Sequence, residues 1–227
     1  MAIPKDIKWI TFDVYGTLID WESGVYEAFQ GEAERTGFDL PDKGKLIELF
    51  NSHQEEITSG SYELYAEVLR QIALRVAKDL EWDLEPSRTN FLPDSVIRWK
   101  PFREANAALD RIAKKYQVGL VVNIDDKLLV ASRRHIRSDF DIVVTAQQVR
   151  SYKPETAHFT ETARRIGGKK GWMHVGSSYY YDVAPAIKSK LPTVWVNRHK
   201  EKVPDPKAKK PDLEVKNLRE LADKLKV

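Results

Sequence analysis

IKWITFDVYGTL, residues 7–18, is the stretch whose reading decides the fold. Ile7, Trp9, Ile10 and Phe12 crowd apolar and β-favouring side chains into a run too short for a core helix, and the run stops at Asp13, Gly16 and Thr17. The expectation is a buried strand over Ile7–Val14 that feeds directly into a loop. Working outward, Val118–Asn123 repeats the pattern and ends at Asn123, Ile124, Asp125 and Asp126. Asp139–Ala146, Trp172–Gly176 and Thr193–Asn197 add three more strands. Between them, Phe102–Tyr116, Lys127–Arg137, Glu155–Ile166 and Tyr179–Lys190 carry apolar residues at the 3.6-residue helical period. Strand alternating with helix predicts an α/β fold, a doubly wound, Rossmann-like parallel sheet covered on both faces.

One stretch breaks the alternation. From Trp21 to about Trp99 there are only amphipathic helical patterns, near Gly24–Thr36, Lys43–Ile57 and Tyr62–Leu80. The expected organisation is a core of residues 1–19 and 98–227 with an inserted helical cap domain of residues 20–97. Ligands of open α/β sheets bind beyond the carboxyl ends of the strands, so the site is expected at the loops after Asp13, Asn123 and Gly176.

Composition removes several classes of function. The 227 residues are 42% hydrophobic and 31% charged, and contain no Cys. Disulfides, thiolate catalysis, cysteinyl metal sites and iron–sulfur clusters are excluded together, and the chain fits a reducing compartment. Apolar runs such as Val118–Val122 fall short of a membrane helix, and Met1–Lys5 has no signal-peptide core. The reading is a cytoplasmic protein with no membrane partner. The formal charge of +3 is concentrated in His199–Lys210, where five Lys face Glu201 and Asp205. Set among Pro204, Pro206 and Pro211, this cluster reads as a solvated loop rather than a nucleic-acid site.

Asp13 stands where backbone N–H groups can face an anion and the Thr17 hydroxyl can fix a carboxylate, a suitable place for a nucleophile. Taken alone, a strand-end Asp more often caps a turn. Lys153, in Tyr152-Lys153-Pro154 before a helix, can bring a cation to the same sheet edge, though such a Lys is ordinarily a surface residue. Asp182 follows Gly176, Ser177 and Ser178 at a helix start, where a cap is the simpler reading. Yet Asp13, Thr17, Asn123, Lys153, Ser177 and Asp182 all follow strand ends of one sheet.

This set resembles the haloacid dehalogenase superfamily over the whole chain. FDVYGTL at residues 12–18 stands as its first motif, VVNIDD at 121–126 as its second, YKP at 152–154 as its third and GSSYYYD at 176–182 as its fourth. The helical insert lies where that superfamily places its first type of cap. Most members are phosphatases, with a second Asp two residues after the nucleophile and an acidic Mg²⁺ ligand in the fourth motif. Tyr15 and Ser177 occupy those positions here, and Val122 replaces the phosphate-gripping hydroxyl of the second motif. An alkoxide leaving group needs a proton and phosphoryl transfer needs Mg²⁺, so these substitutions argue against phosphatase chemistry. Asp182 by itself is a poor Mg²⁺ site.

The chain looks instead like the metal-independent branch that hydrolyses (S)-2-haloacids, which implies a small carboxylic acid substrate, no metal, no cofactor and a homodimer. In that likeness Asp13 attacks the halogen-bearing carbon and water then cleaves the resulting ester. Thr17 and Lys153 hold Asp13 ionised, Asp182 with Lys153 and Ser177 positions the water, and Asn123 sits by the leaving group. Tyr15 and neighbouring N–H groups such as that of Val14 hold the substrate carboxylate, while Trp21 and Tyr181 form an apolar wall.

The pattern also has departures. The Ser, Arg and Asn by which that branch recognises substrate are replaced by Val122, Asn51 and Tyr179, and a Tyr six residues after the Lys is Phe159. Asn123, Asp125 and Asp126 offer a halide no cation and suit an amine better, which keeps open the same attack on a C–N bond, as in opening azetidine-2-carboxylate. Asp125 and Asp126 also read as favourable acids at a helix start. A non-catalytic relative that binds a small acid or a protein is the remaining alternative. His53, His135, His158, His174 and His199 show no metal-binding spacing, and read as structural or solvent-facing. Gly167-Gly168 reads as a helix-ending turn rather than a phosphate loop.

Overall fold

The computed structural model describes every residue except Met1, Ala2, Lys5, Pro204 and Pro206. The leader reading of Met1–Lys5 and the loop reading of His199–Lys210 therefore fall partly outside the described residues. Six strands, β1 (Trp9–Phe12), β2 (Gln117–Val122), β3 (Ile142–Thr145), β4 (Trp172–Gly176), β5 (Thr193–Val196) and β6 (Leu213–Val215), form one sheet in the order β3-β2-β1-β4-β5-β6. Every pairing is parallel, and Phe12 is in register with both Leu120 and Val175. This is the doubly wound order, whose switch point lies between β1 and β4.

β1 sits at the centre because both of its faces are apolar enough to bury. Ile10 and Phe12 on one face, and Thr11 on the other, are fully enclosed. Trp172 and Val121 pack with Phe159, Ala186 and Leu191 in a core cluster joined by Trp9. Ten α-helices complete the described chain. They are α1 (Trp21–Thr36), α2 (Lys43–Thr58), α3 (Tyr65–Asp79), α4 (Phe91–Ser95), α5 (Ala105–Ala113), α6 (Asp126–Arg133), α7 (Ala146–Val149), α8 (Ala157–Arg165), α9 (Ala184–Lys188) and α10 (Leu218–Lys224). Among the described residues, no helix is long and apolar enough to cross a membrane.

The five expected strands are present; Trp172–Gly176 keeps its bounds, the second and fifth shift or shorten by one residue, and β1 and β3 cover only the middle of the expected Ile7–Val14 and Asp139–Ala146. β6 and α10 extend the sheet beyond the sequence reading. Three residues of strand and seven of helix, following the Lys-rich segment, carry too little periodicity to stand out. The helical pattern at Tyr179–Lys190 divides into a π-helical turn, Tyr179–Val183, and α9.

The chain divides into two compact units. One comprises the residues up to Ile19, Pro101–Asn123 and His135–Val227, and contains the whole sheet. The other is helical and comprises Asp20–Lys100 with Ile124–Arg134. Its α1 and α2 are capped by Asp20 and Asp42, which accept from the N–H groups of Ser23 and Lys45. α3 has no cap of its own, because Leu64 precedes it. Asp125 fills that role across 60 residues of sequence: its two carboxylate oxygens accept from the N–H groups of Tyr65 at 2.7 Å and Ala66 at 2.8 Å. α6, expected in the core, is thereby grouped with the helical unit, where it also packs against the 3₁₀ turn Val96–Arg98.

Replacing Asp125 removes an anion from the positive end of α3 and leaves two donors unanswered. Asp125→Ala is expected to lower stability by about 1–3 kcal/mol, read as an earlier urea midpoint at unchanged m-value.

Candidate active site

The site is assembled from the first residues after β1, β2 and β4 and from the loop before α8. Asp13 directly follows β1, and its N–H donates to the Val175 carbonyl at 2.9 Å, which carries the sheet register one residue further. The loop then turns back on itself: Leu18 and Ile19 donate to the Val14 carbonyl at 2.7 and 2.9 Å, and Gly16 donates to Ile19 at 2.8 Å. Gly16 has φ +92°, a conformation costly for any residue with a side chain. The turn places the Thr17 hydroxyl 3.1 Å from Asp13 Oδ2, to which it donates.

Lys153 holds the site together. Its Nζ donates to Asp13 Oδ1 at 3.0 Å, to Asp182 Oδ1 at 2.5 Å and to the Val121 carbonyl at 2.9 Å, so all three N–H bonds of the ammonium are answered. Asn123 fixes the Lys153 backbone with both ends of its amide. Oδ1 accepts from the Lys153 N–H at 2.7 Å and Nδ2 donates to the Lys153 carbonyl at 3.0 Å. Exposure separates the three charged groups: the Lys153 and Asp182 side chains are 1% exposed, and that of Asp13 is 10% exposed. Of the trio, Asp13 is the one a reactant can reach.

Asp182 lies in the π-helical turn after β4, and its Oδ2 accepts from the Ser178 N–H at 3.1 Å. This position requires glycine at 176, because a Cβ there would lie 2.3 Å from the Asp182 Cγ. On the other side of Asp182 stands His174, fully enclosed in β4, with Nε2 3.6 Å from Asp182 Oδ1 and Nδ1 2.9 Å from the Thr11 hydroxyl. Trp172 Nε1 donates to the same hydroxyl at 2.9 Å. Sequence reading left His174 outside the site; its place two residues before Gly176 on a strand with period-two alternation is the signal that reaches it.

Burial, reinforced by the Asp182 carboxylate, pushes Asp13 up to about 6 against the pull of Lys153. For Asp182 burial acts upward as well, but the Lys153 ammonium and His174 outweigh it and bring it down to about 2. Burial also works against the Lys153 ammonium, and the two carboxylates overcome it, so its pKa is raised. Burial keeps the His174 imidazole below its ordinary value and hence neutral near pH 7.

The remaining expected residues are placed as follows. Val14 and Val122 are buried, the first accepting within the Asp13 loop and the second accepting from His158 Nε2 at 3.2 Å. Tyr15 is half-buried and pairs with Ile19. The Ser177 carbonyl accepts from Trp195 Nε1 at 2.8 Å. The Tyr179 hydroxyl donates to the Lys209 carbonyl at 2.7 Å, and its ring meets that of Trp195 edge-on. Tyr181 is half-buried, and its N–H donates to the Ser178 hydroxyl at 3.0 Å. Trp21 and Asn51 belong to the helical unit, where Trp21 packs on Phe50 and Asn51 is exposed. Sequence reading missed Arg198, whose guanidinium donates to the Gly16 and Thr17 carbonyls at 3.1 and 2.8 Å.

Each oxygen of Asp13 and Asp182 already carries a donor, and the neighbouring position that could supply a third acid is Ser177. That donor set does not fit Mg²⁺, which demands several unencumbered oxygens. Among the described residues, no group of three or more acidic or His side chains is arranged to hold a metal ion.

Residues 7–189 match the family of haloacid dehalogenase-like hydrolases, and the chain belongs to that family. It is 26% identical over 226 residues to an (S)-2-haloacid dehalogenase of Pseudomonas sp. strain YL, covering 96% of this chain and 94% of that one. A structure of L-2-haloacid dehalogenase from Xanthobacter autotrophicus with chloropropionic acid covalently bound aligns with TM-score 0.82 at 19% identity, over 97% of this chain and 98% of that one. The putative HAD-hydrolase YfnB of Bacillus subtilis, in a magnesium-bound structure, aligns with TM-score 0.84 at 16% identity, over 97% and 99%. The fold is common to both neighbours, so the site's own chemistry must choose between them.

Lys153→Met leaves two buried carboxylates facing one another without a cation. The variant is expected to lose about 3–5 kcal/mol near pH 7. Because each carboxyl then has a folded-state pKa above its unfolded value, the deficit shrinks as pH falls and protons are taken up. Urea unfolding at pH 7.5 and pH 5 measures both the loss and its sign.

Proposed function

We propose that this hydrolase acts without a metal at the α-carbon of a small 2-substituted carboxylic acid, with an (S)-2-haloacid as the leading substrate. The observation that carries the reading is the Lys153 ammonium bonded to both Asp13 and Asp182, beside Tyr15 and Ser177 where phosphatases carry acids. A carboxylate so held is an oxygen nucleophile, and a halide departs without needing a proton from an acid.

In the first step an Asp13 oxygen bonds to C2 as the C2–halogen bond breaks, and the halide leaves with the electron pair. Water then adds to the carbonyl carbon of the Asp13 ester, and the acyl C–O bond breaks. One proton of the water passes to the departing 2-hydroxy acid and the other to solvent, while Asp13 returns to carboxylate. Thr17 and Lys153 orient Asp13 in both steps, and Asp182 with Lys153 and Ser177 positions the water. Tyr15 and the N–H groups near Val14 hold the substrate carboxylate, and Tyr181 contributes to the apolar wall. Asn123 acts by the leaving group and as the strut under Lys153. The Ser, Arg and Asn of the family pattern are absent at Val122, Asn51 and Tyr179, which sets this chain's substrate recognition apart from that of its relatives. A cytoplasmic location and a homodimer belong to the same reading.

The C–N alternative drew on the acids Asp125 and Asp126 that follow Asn123. Asp125 is 4% exposed with both oxygens on α3, which weakens that alternative and favours the halide.

A panel of chloroacetate, (S)- and (R)-2-chloropropionate, fluoroacetate and azetidine-2-carboxylate, run with EDTA, tests the reading. Halide release from an (S)-2-haloacid, undiminished by chelator, is expected; amine appearance without halide release would overturn it. Single turnover in ¹⁸O water should place label in the peptide containing Asp13, and Asp13→Asn should cut turnover by about 10⁴-fold or more. Since only the carboxylate attacks, kcat/KM should fall roughly tenfold per pH unit below about pH 6, where Asp13 gains its proton. A flat profile down to pH 4.5 would contradict the assignment.

A further inference from the structure

We propose that Arg198 is a positioning residue for this reaction: it grips the carbonyls of Gly16 and Thr17 and so sets the loop that presents Asp13. The inference rests on Asp13 being the reacting group. Arg198 follows β5, at the same edge of the sheet as the nucleophile. Its Nε donates to Gly16 O at 3.1 Å, its Nη2 to Thr17 O at 2.8 Å and its Nη1 to Glu104 Oε1 at 2.8 Å. The guanidinium carbon lies 3.6 Å from the centre of the Phe102 ring, and the Phe102 N–H donates to the Leu18 carbonyl at 2.9 Å. The Arg198 and Glu104 side chains are 11% and 15% exposed. Three separate stretches of sequence thus meet on the outer side of one short loop.

The geometry explains why a clamp is useful there. Gly16 is the joint of the loop, and a glycine at positive φ resists rotation of its neighbouring peptides least. A peptide plane carries its C=O and the following N–H in opposite directions, so holding the Gly16 and Thr17 carbonyls fixes both planes that flank Thr17. Thr17 is the residue whose hydroxyl donates to Asp13 Oδ2. Rotation of either plane would carry that hydroxyl away from the carboxylate. A planar guanidinium spans two successive carbonyls while its remaining nitrogen pairs with Glu104; an ammonium on a flexible stem cannot reproduce that fork.

The test uses the full chain with Arg198→Lys and Arg198→Ala. On (S)-2-chloropropionate, Arg198→Lys is expected to lose tenfold or more in kcat with KM changed by less than about twofold, because Tyr15 and the N–H groups near Val14 precede the two clamped peptide planes and stay in place while Asp13 loses the Thr17 hydroxyl that aims it. Millimolar guanidinium should restore part of the Arg198→Ala rate. Hydrogen exchange supplies a readout independent of turnover: the Thr17 and Leu18 amides should exchange about tenfold faster in both variants while β2 amides stay protected. Unchanged loop exchange with wild-type kcat overturns the inference. So does a uniform rise in exchange across the sheet with unaltered kcat per folded molecule, the mark of a merely structural residue. If the unaltered protein releases no halide from any acid of the panel, the functional reading fails, and loop exchange alone still decides whether Arg198 is the clamp.

Discussion

An ammonium withdrawn from water can keep its charge only if the surrounding groups answer it completely, and the arrangement around Lys153 follows from that requirement. Desolvation costs several kcal/mol, and Coulomb attraction offsets it only where geometry is close and every donor is used. Lys153 meets both conditions with two carboxylates and one strand carbonyl. The three partners come from β2 and the loops after β1 and β4, so the ion cluster is satisfied only when the central strands are in register. A backbone clamp by Asn123 and a glycine at 176 are the local concessions that let the charges approach.

The same cluster sets the limits of the chemistry. With a cation already shared between its carboxylates, the site is not a cradle for a divalent ion. Tyr15, standing where a phosphatase keeps its acid, provides no carboxyl proton for a leaving group. A departing halide asks for none. The Lys153 ammonium keeps Asp182 ionised behind Asp13, and His174, held neutral by burial, adds no further charge to the interior. Membership of the hydrolase family and the residues at these few positions therefore point the same way, although the overall fold is shared with a magnesium-bound neighbour.

The β1 run and its Asp13 loop are legible in sequence because a strand with both faces buried must be continuously apolar, and its abrupt end at Asp, Gly and Thr marks the sheet edge. Lys153 is legible only in company. A Lys before Pro is ordinarily solvated, and nothing local announces that two carboxylates from residues 13 and 182 will enclose it. Asp125 shows a different failure: beside Asn123 and Asp126 it reads as site charge or as an acid at the start of the helix that follows, whereas its oxygens cap a helix that begins 60 residues earlier. Arg198 is hidden by its neighbours, since it adjoins a Lys-rich stretch that reads as solvated loop, and its partners lie more than 90 residues away. Tyr179, in a position the family pattern gives to substrate, instead spends its hydroxyl on the Lys209 carbonyl. In each case the deciding contact is long in sequence, and local pattern carries no information about it.

The contact between Gly176 and Asp182 constrains how descendants of this chain can diverge. A methyl group at 176 would overlap the carboxyl of 182, so while that acid is kept the earlier position admits no larger residue, however mild the change looks on paper. The two sites form one inherited unit, and a lineage abandoning this catalysis should show the glycine free to drift only once the acid has gone.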